Sequence, residues 1–302
     1  MPALSEFLGK ISKNEKAIQA AFIVAGIVLF GYVLSSITIA DIYNTFSVLG
    51  TNVLLIVGIL VFEVLASSLR MKTLVCKKYQ VPLKSIMRIM YETTLFAVYS
   101  PGKVGELMKL DLFKKKGVRR TYCFASVVVS RSFDLLVVTM LSLGVIFSMG
   151  LDLLPMAAAL AIALLGVFVV YRLGIFKTFV SNMLDSFRTL LDFKSVLIVF
   201  VLSLSIWAAD ASIPYIVLRT LGYNVDFFQT AATYFASLII GLISMVPGGL
   251  GAADFSFSYG MHSLFGVAEA DAVSAIVSMR IITFATFALG SLLYFKHIKE
   301  SK

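Results

Sequence analysis

Long apolar blocks punctuate this chain. The clear ones cover roughly residues 17–37, 51–69, 121–149, 155–173, 195–217 and 272–295. At 1.5 Å of rise per residue, each is long enough to cross about 30 Å of hydrocarbon. The pattern therefore predicts six membrane-spanning helices. Two further stretches, about 85–108 and 227–266, are apolar but interrupted by Pro-Gly pairs and by charges.

Composition agrees with the pattern. Of 302 residues, 59% are apolar and 14% charged, and the mean hydropathy is +0.95. A soluble domain is nearer half apolar and a quarter charged, and a soluble chain of this length needs a polar coat that these residues do not supply. No segment is long enough to fold as a separate soluble domain, so residues 1–302 are expected to form a single transmembrane domain. The N-terminal apolar stretch is too long for a signal peptide, and no small-residue cleavage site follows it.

Charge then orients the spans. The formal net charge is +9, which in a soluble protein would suggest nucleic acid, but here the basic residues lie in short loops. Five segments hold 21 of the 26 basic residues: Lys10–Lys16, Arg70–Lys84, Lys109–Arg120, Arg172–Lys194 and Lys296–Lys302. The complementary loops, around 38–50, 150–154, 218–226 and 264–271, hold one, Arg219. The positive-inside rule makes both termini cytoplasmic, in a multi-pass protein of the cell membrane. No nucleic-acid partner is expected.

That orientation constrains the interrupted stretches. Residues 85–108 lie between two segments that both belong inside, and about 24 residues are too few to cross twice at about 20 per crossing. They must enter and return on the same side, and residues 227–266 must do the same from the exterior. The predicted fold is an all-α polytopic membrane protein with an inverted-topology repeat. It has about six full spans and two oppositely directed re-entrant helical hairpins. Repeat one covers about 17–149 and repeat two about 155–296, an arrangement that puts substrate sites at the repeat interface. The charges repeat as well. Glu63 precedes Pro101 by 38 positions and Asp210 precedes Pro247 by 37; Arg131 follows Pro101 by 30 and Arg280 follows Pro247 by 33.

The residues with chemistry cluster at these offsets. The breaks read Pro101-Gly102-Lys103-Val104-Gly105-Glu106 and Pro247-Gly248-Gly249-Leu250-Gly251-Ala252. Pro removes a donor and Gly permits turns that other residues resist, so each break ends one helix and opens another. The second half-helix presents free N–H groups and a positive dipole, which suit an anionic group. A tight turn with a structural role is the plainer alternative. Arg131 and Arg280 lie inside spans, where an arginine costs about 2.5–3.5 kcal/mol on insertion scales and is retained when paired or bound to a ligand. Asp134, three positions after Arg131, is a natural internal partner; Arg280 has no acid three or four positions away. Glu63 and Asp210 are read either as static partners of the two arginines or as proton-coupling groups. Glu106 and Asp254 suit helix capping as well as a binding role. Lys103 is a candidate phosphate contact, while Trp207 and Tyr99 fit packing or interfacial roles. With two histidines and two cysteines, no metal site and no cofactor are expected.

In order, Pro101-Gly102-Lys103-Val104-Gly105-Glu106 with Lys109, Arg131-Ser-Phe-Asp134, Pro247-Gly248-Gly249-Leu250-Gly251 and Arg280 resemble one family. The chain is similar to the flippase-like membrane region of lysylphosphatidylglycerol synthases and their stand-alone relatives, from about residue 15 to 296. It departs from the family pattern in carrying lysine for arginine at Lys103 and Lys109, and Asp254 for glutamate. Charge is kept, but the bidentate geometry of arginine is lost at the lysines. The resemblance implies translocation of an anionic or isoprenoid phospholipid, without the aminoacyl-transfer domain of the larger members. The expected function is thus a lipid flippase, not an enzyme, whose partner is a membrane lipid with an anionic headgroup. A homo-oligomer or a partner lipid- or glycan-modifying enzyme is compatible with this. The alternatives are a non-transporting scaffold for such an enzyme, or an intramembrane enzyme acting on a lipid phosphate. No metal cluster or nucleophile elbow supports the last of these.

Overall fold

The structure, a computed structural model, describes residues 28–99, 107–148 and 190–299, apart from residues 29, 33, 191 and 245. Most of the expected span at 17–37, all of that at 155–173, and Pro101, Gly102, Lys103, Gly105 and Glu106 lie outside the described residues. Among the described residues the secondary structure is helical and no strand occurs. The helices are α1 (Ile39–Leu49), α2 (Asn52–Val75), α3 (Leu83–Tyr99), α4 (Met108–Lys114), α5 (Arg120–Ser148), α6 (Phe193–Thr220), α7 (Phe227–Ile243), α8 (Ala252–Phe265) and α9 (Glu269–Lys299). Four of them, α2, α5, α6 and α9, are long and apolar enough to cross a membrane. They coincide with the blocks at 51–69, 121–149, 195–217 and 272–295.

Helix α1 occupies a stretch read from charge alone as a loop. Its start is a capping box. Thr38 Oγ1 accepts from the Asp41 backbone N–H at 3.3 Å, and Asp41 Oδ2 accepts from the Thr38 N–H at 2.7 Å. The Thr38 N–H bond foremost, and a second bond that the Thr38 hydroxyl donates to Asp41 Oδ2 at 2.7 Å, hold the Asp41 carboxyl below its usual range. The Thr-x-x-Asp spacing announces the helix, but it is short beside the spans.

Burial departs from that of a soluble protein in what is exposed and in the charges held inside. Leu54 is 73% exposed, Leu135 63% and Leu293 68%, while Arg70, Lys109, Asp134 and Asp254 are all 5% exposed or less. An apolar coat around an interior that holds such charges suits a hydrocarbon solvent. Small hydroxyl residues, among them Ser68, Ser126, Ser203 and Ser278, are buried between helices and let backbones approach.

Helix α2 packs along α6, and α9 touches α1, α2, α3, α6 and α8. The second Pro-Gly break is a single 3-10 turn, Pro247–Gly249, between α7 and α8. Gly248 and Gly249 both adopt left-handed backbone, with φ of 65° and 64°, a conformation costly for any residue with a Cβ. Crowding adds a second reason for glycine at 249. A Cβ there would lie 3.1 Å from the Gly241 Cα on α7. The turn also touches α3, so the two interrupted stretches meet.

Candidate functional site: a charged cavity between the helices

Between these helices lies a cavity of about 300 Å3, lined by residues of α2 to α9 and the Pro247–Gly249 turn. Of the residues singled out in the sequence, Glu63, Lys109, Arg131, Asp134, Asp210, Gly248, Gly249 and Arg280 all line it. They come from five helices and a turn, and tertiary packing alone brings them together.

One wall is organised by Asp134 on α5. Arg131 Nη1 donates to Asp134 Oδ2 at 2.9 Å, so the internal partner expected from the i, i+3 spacing is present. Asp134 also accepts from Arg70 on α2, at Oδ1 from Nη1 and at Oδ2 from Nη2 at 3.3 Å, and from Trp207 Nε1 at 3.0 Å. Arg70 Nη1 donates in addition to Ser203 Oγ on α6 at 2.7 Å. Two guanidinium groups thus share one carboxylate.

Arg70 corrects the sequence reading, which counted it among the cytoplasmic loop charges. Helix α2 continues to Val75, carrying Arg70 into the interior, where it is 5% exposed. The signal was present: Arg70 follows Glu63 by seven residues, two helical turns, and so shares its face. Trp207, read as packing or interfacial, does pack on Phe235 with ring centroids 5.7 Å apart, but its indole N–H also serves Asp134.

The other wall is built on the break. Arg280 Nε donates to Asp254 Oδ1 at 2.5 Å and Nη1 donates to the Gly248 carbonyl at 3.1 Å. Asp254 is fully buried, and its Oδ2 accepts from the Gly251 N–H at 2.9 Å, capping α8. One carboxylate therefore caps the half-helix and fixes the arginine, uniting two roles that the sequence left as alternatives. Glu63 and Asp210 are not the arginines' ion-pair partners among the described residues; Asp134 and Asp254 take that place. Asp134 and Asp254 win by geometry, one a helical turn from Arg131 and the other at the mouth of the turn that Arg280 faces.

Glu63 and Asp210 instead form a third group. They are within Coulombic reach of each other. Tyr234 on α7 donates its O–H to Asp210 Oδ1 at 3.1 Å, a contact with no marker in the sequence. Glu63 Oε1 is shielded from solvent and has no hydrogen-bond partner among the described residues. Lys109 on α4 is 3% exposed and lines the same cavity. Among the described residues, no group of three or more His, Cys, Asp or Glu side chains is placed to hold a metal ion.

Long apolar helices around a charged interior define an integral membrane protein of the helical class. Residues 18–290 match the family described as the lysylphosphatidylglycerol synthase TM region, and the chain belongs to that family. It is 29% identical over 114 residues to a UPF0104 membrane protein of Methanothermobacter thermautotrophicus, a match covering 37% of this chain and 34% of the relative. It is 33% identical over 98 residues to a UPF0104 membrane protein of Pyrococcus horikoshii, covering 32% and 29%. A phosphatidylglycerol lysyltransferase of Bacillus subtilis is 31% identical over 84 residues, covering 28% of this chain and 10% of that protein. The matched stretches thus span about a third or less of these relatives' length.

Proposed function

We propose that this protein is a lipid flippase that moves a lipid with an anionic phosphate headgroup between leaflets of the cell membrane. One observation carries the reading. In a cavity enclosed by apolar helices, the guanidinium groups of Arg70, Arg131 and Arg280 line one space, Arg70 and Arg131 both set on Asp134, and such planar donors suit the oxygens of an anion. The headgroup phosphate engages Arg131 and Arg280 from two walls, with Lys109 and the N-terminus of α8 beside it. The bonds from Arg280 to Asp254 and Gly248 use two of the five guanidinium donors. Acyl or isoprenoid tails stay in the bilayer.

Helix packing supports an inverted repeat behind this activity. If α2 is matched to α6, α3 to α7, α4 to α8 and α5 to α9, each contact among these eight helices has its counterpart. α2 packs on α3 as α6 packs on α7, and α3 packs on α9 as α7 packs on α5. A re-entrant path for each interrupted stretch, both termini in the cytoplasm, and rocking of one repeat against the other complete the proposal. No chemical step on the lipid is part of it.

The test is leaflet movement of labelled lipid in proteoliposomes, with phosphatidylglycerol set against a polyprenyl phosphate. Protein-dependent movement should occur for one class and vanish in Arg131→Ala and Arg280→Ala. A folded wild-type protein inert towards both lipids overturns the proposal.

A further inference from the structure

Outside the central cavity, one end of the α2–α6 pair carries a second concavity, a groove of about 740 Å3. Helix α2 ends where α6 begins, so two side-chain stripes face each other across it. Leu69, Lys72 and Cys76 come from α2, and Lys194, Leu197 and Val201 from α6. Within each helix these positions recur at intervals of three and four residues, which puts each set on one face. Leu69 lines the groove while the next residue, Arg70, lines the central cavity, so a single helix separates the two.

Charge and apolar surface are segregated along the groove. Lys72 stands one turn beyond Leu69, just past the apolar block that closes at residue 69, and Lys194 stands just before the block that opens at residue 195. The lysines therefore share one level at the edge of the hydrocarbon, where their stems lie along apolar surface and their ammonium groups reach headgroup depth. Below them Leu69, Leu197 and Val201 are exposed. A third lysine of the groove, Lys77, is already engaged: its Nζ donates to the Leu190 carbonyl at 2.8 Å and pairs with Asp192. Lys72 and Lys194 form no ion pair among the described residues, and no carboxylate among them lines the groove. The opposite end of the same helix pair is different, closed by a neutral bond from Asn52 Nδ2 to Thr220 Oγ1 at 3.0 Å.

We propose that this groove binds one anionic phospholipid, with its phosphate between Lys72 and Lys194 and a tail along Leu69, Leu197 and Val201. The occupant is fixed by complementarity at both ends. A soluble anion leaves the apolar walls unused, and a zwitterionic lipid gains less from two lysines that no acid offsets. Because α2 and α6 pack along each other, the cleft is formed before the lipid arrives. The site stands apart from translocation through the central cavity and does not rest on it.

Cys76 provides the probe, since it lines the groove and is partly exposed, whereas Cys123 is buried. Maleimide labelling of Cys76 is measured on the purified full chain in nanodiscs of phosphatidylcholine, with and without phosphatidylglycerol. Phosphatidylglycerol should slow wild-type labelling about tenfold, as a bound lipid covers the thiol. Lys72→Gln/Lys194→Gln should abolish that protection while melting as wild type in phosphatidylcholine. Leu197→Trp, which fills the groove, should make labelling independent of phosphatidylglycerol. Lys115→Gln/Lys116→Gln, the same change of charge on exposed lysines outside the groove, should keep the full effect. Equal wild-type rates in the two membranes, or protection that persists in Lys72→Gln/Lys194→Gln, overturns the site. Equal loss in both lysine pairs assigns the effect to diffuse surface charge and overturns it as well. Protection by glycerol 3-phosphate as strong as by phosphatidylglycerol rejects a lipid as the occupant.

Discussion

Arg280 on α9 reaches back 26 residues to Asp254 at the start of α8, with Nε 2.5 Å from Oδ1. The same carboxylate caps that helix through the Gly251 N–H. Binding chemistry and the shape of the Pro-Gly turn therefore depend on one side chain. Asp254→Asn keeps an oxygen for the cap but loses the charge that holds Arg280. Lipid movement should fall at least tenfold, since a charge-assisted hydrogen bond contributes about 1.5–3 kcal/mol. Arg280→Lys should fall nearly as far as Arg280→Ala, because an ammonium lacks the fork that spans Asp254 and the Gly248 carbonyl. Initial rates in proteoliposomes check both; wild-type rates in Arg280→Lys would remove the geometric part of the explanation.

Asp134 is the second hub, and its partners should be strongly coupled. Arg70→Met removes one of two arginines from a buried carboxylate, where breaking a buried pair costs about 3–5 kcal/mol; Arg131 and Trp207 offset part of that. The melting temperature in detergent should drop clearly. In the double variant Arg70→Met/Asp134→Leu, the loss should be smaller than the sum of the two singles, because the buried arginine and the carboxylate it compensates go together. A double variant as unstable as the sum of the singles contradicts the coupling.

The turn at Gly249 can be separated from mere loop strain. Gly222 also has positive φ, 93°, but a Cβ there meets open space, whereas one on Gly249 presses on the Gly241 backbone. Gly222→Ala should lose about 1 kcal/mol from strain alone. Gly249→Ala should lose a further 1–3 kcal/mol, roughly, from overpacking. Equal melting temperatures for the two variants contradict the close approach.

A pH effect is expected outside the membrane-spanning segments. Burial raises the Tyr223 phenol above its usual range, and its hydrogen bond to Asp271 Oδ2, at 2.5 Å, adds to the shift. Because the folded state favours the neutral phenol, its contribution is full below the ordinary tyrosine range and fades as pH rises through the raised value. Melting temperature should therefore fall more steeply above about pH 10 in wild type than in Tyr223→Phe. Parallel curves for the two proteins would argue that this bond adds nothing to stability.

Much of this protein is determined by its sequence alone. Uninterrupted apolar blocks have only one stable environment, so α2, α5, α6 and α9 and their approximate ends follow from composition and length. Pro247-Gly248-Gly249 marks its own turn, since only glycine tolerates the backbone found there. Arg131, Arg280, Glu63 and Asp210 are legible as site residues because charge inside an apolar block is costly and is kept for a reason.

Pairing was decided by tertiary structure. Nothing local says that Arg280 takes Asp254, that Arg70 joins Arg131 on Asp134, or that Tyr234 serves Asp210, because each of these bonds joins residues from different helices. Arg70 is the clearest case. At the end of an apolar block a cation reads as a loop charge, and only the continuation of α2 to Val75 against α5 and α6 buries it. Hydropathy is a property of segments, whereas a cavity is a property of how segments are packed. The sequence thus selects the residues that must be neutralised, and helix packing chooses their partners.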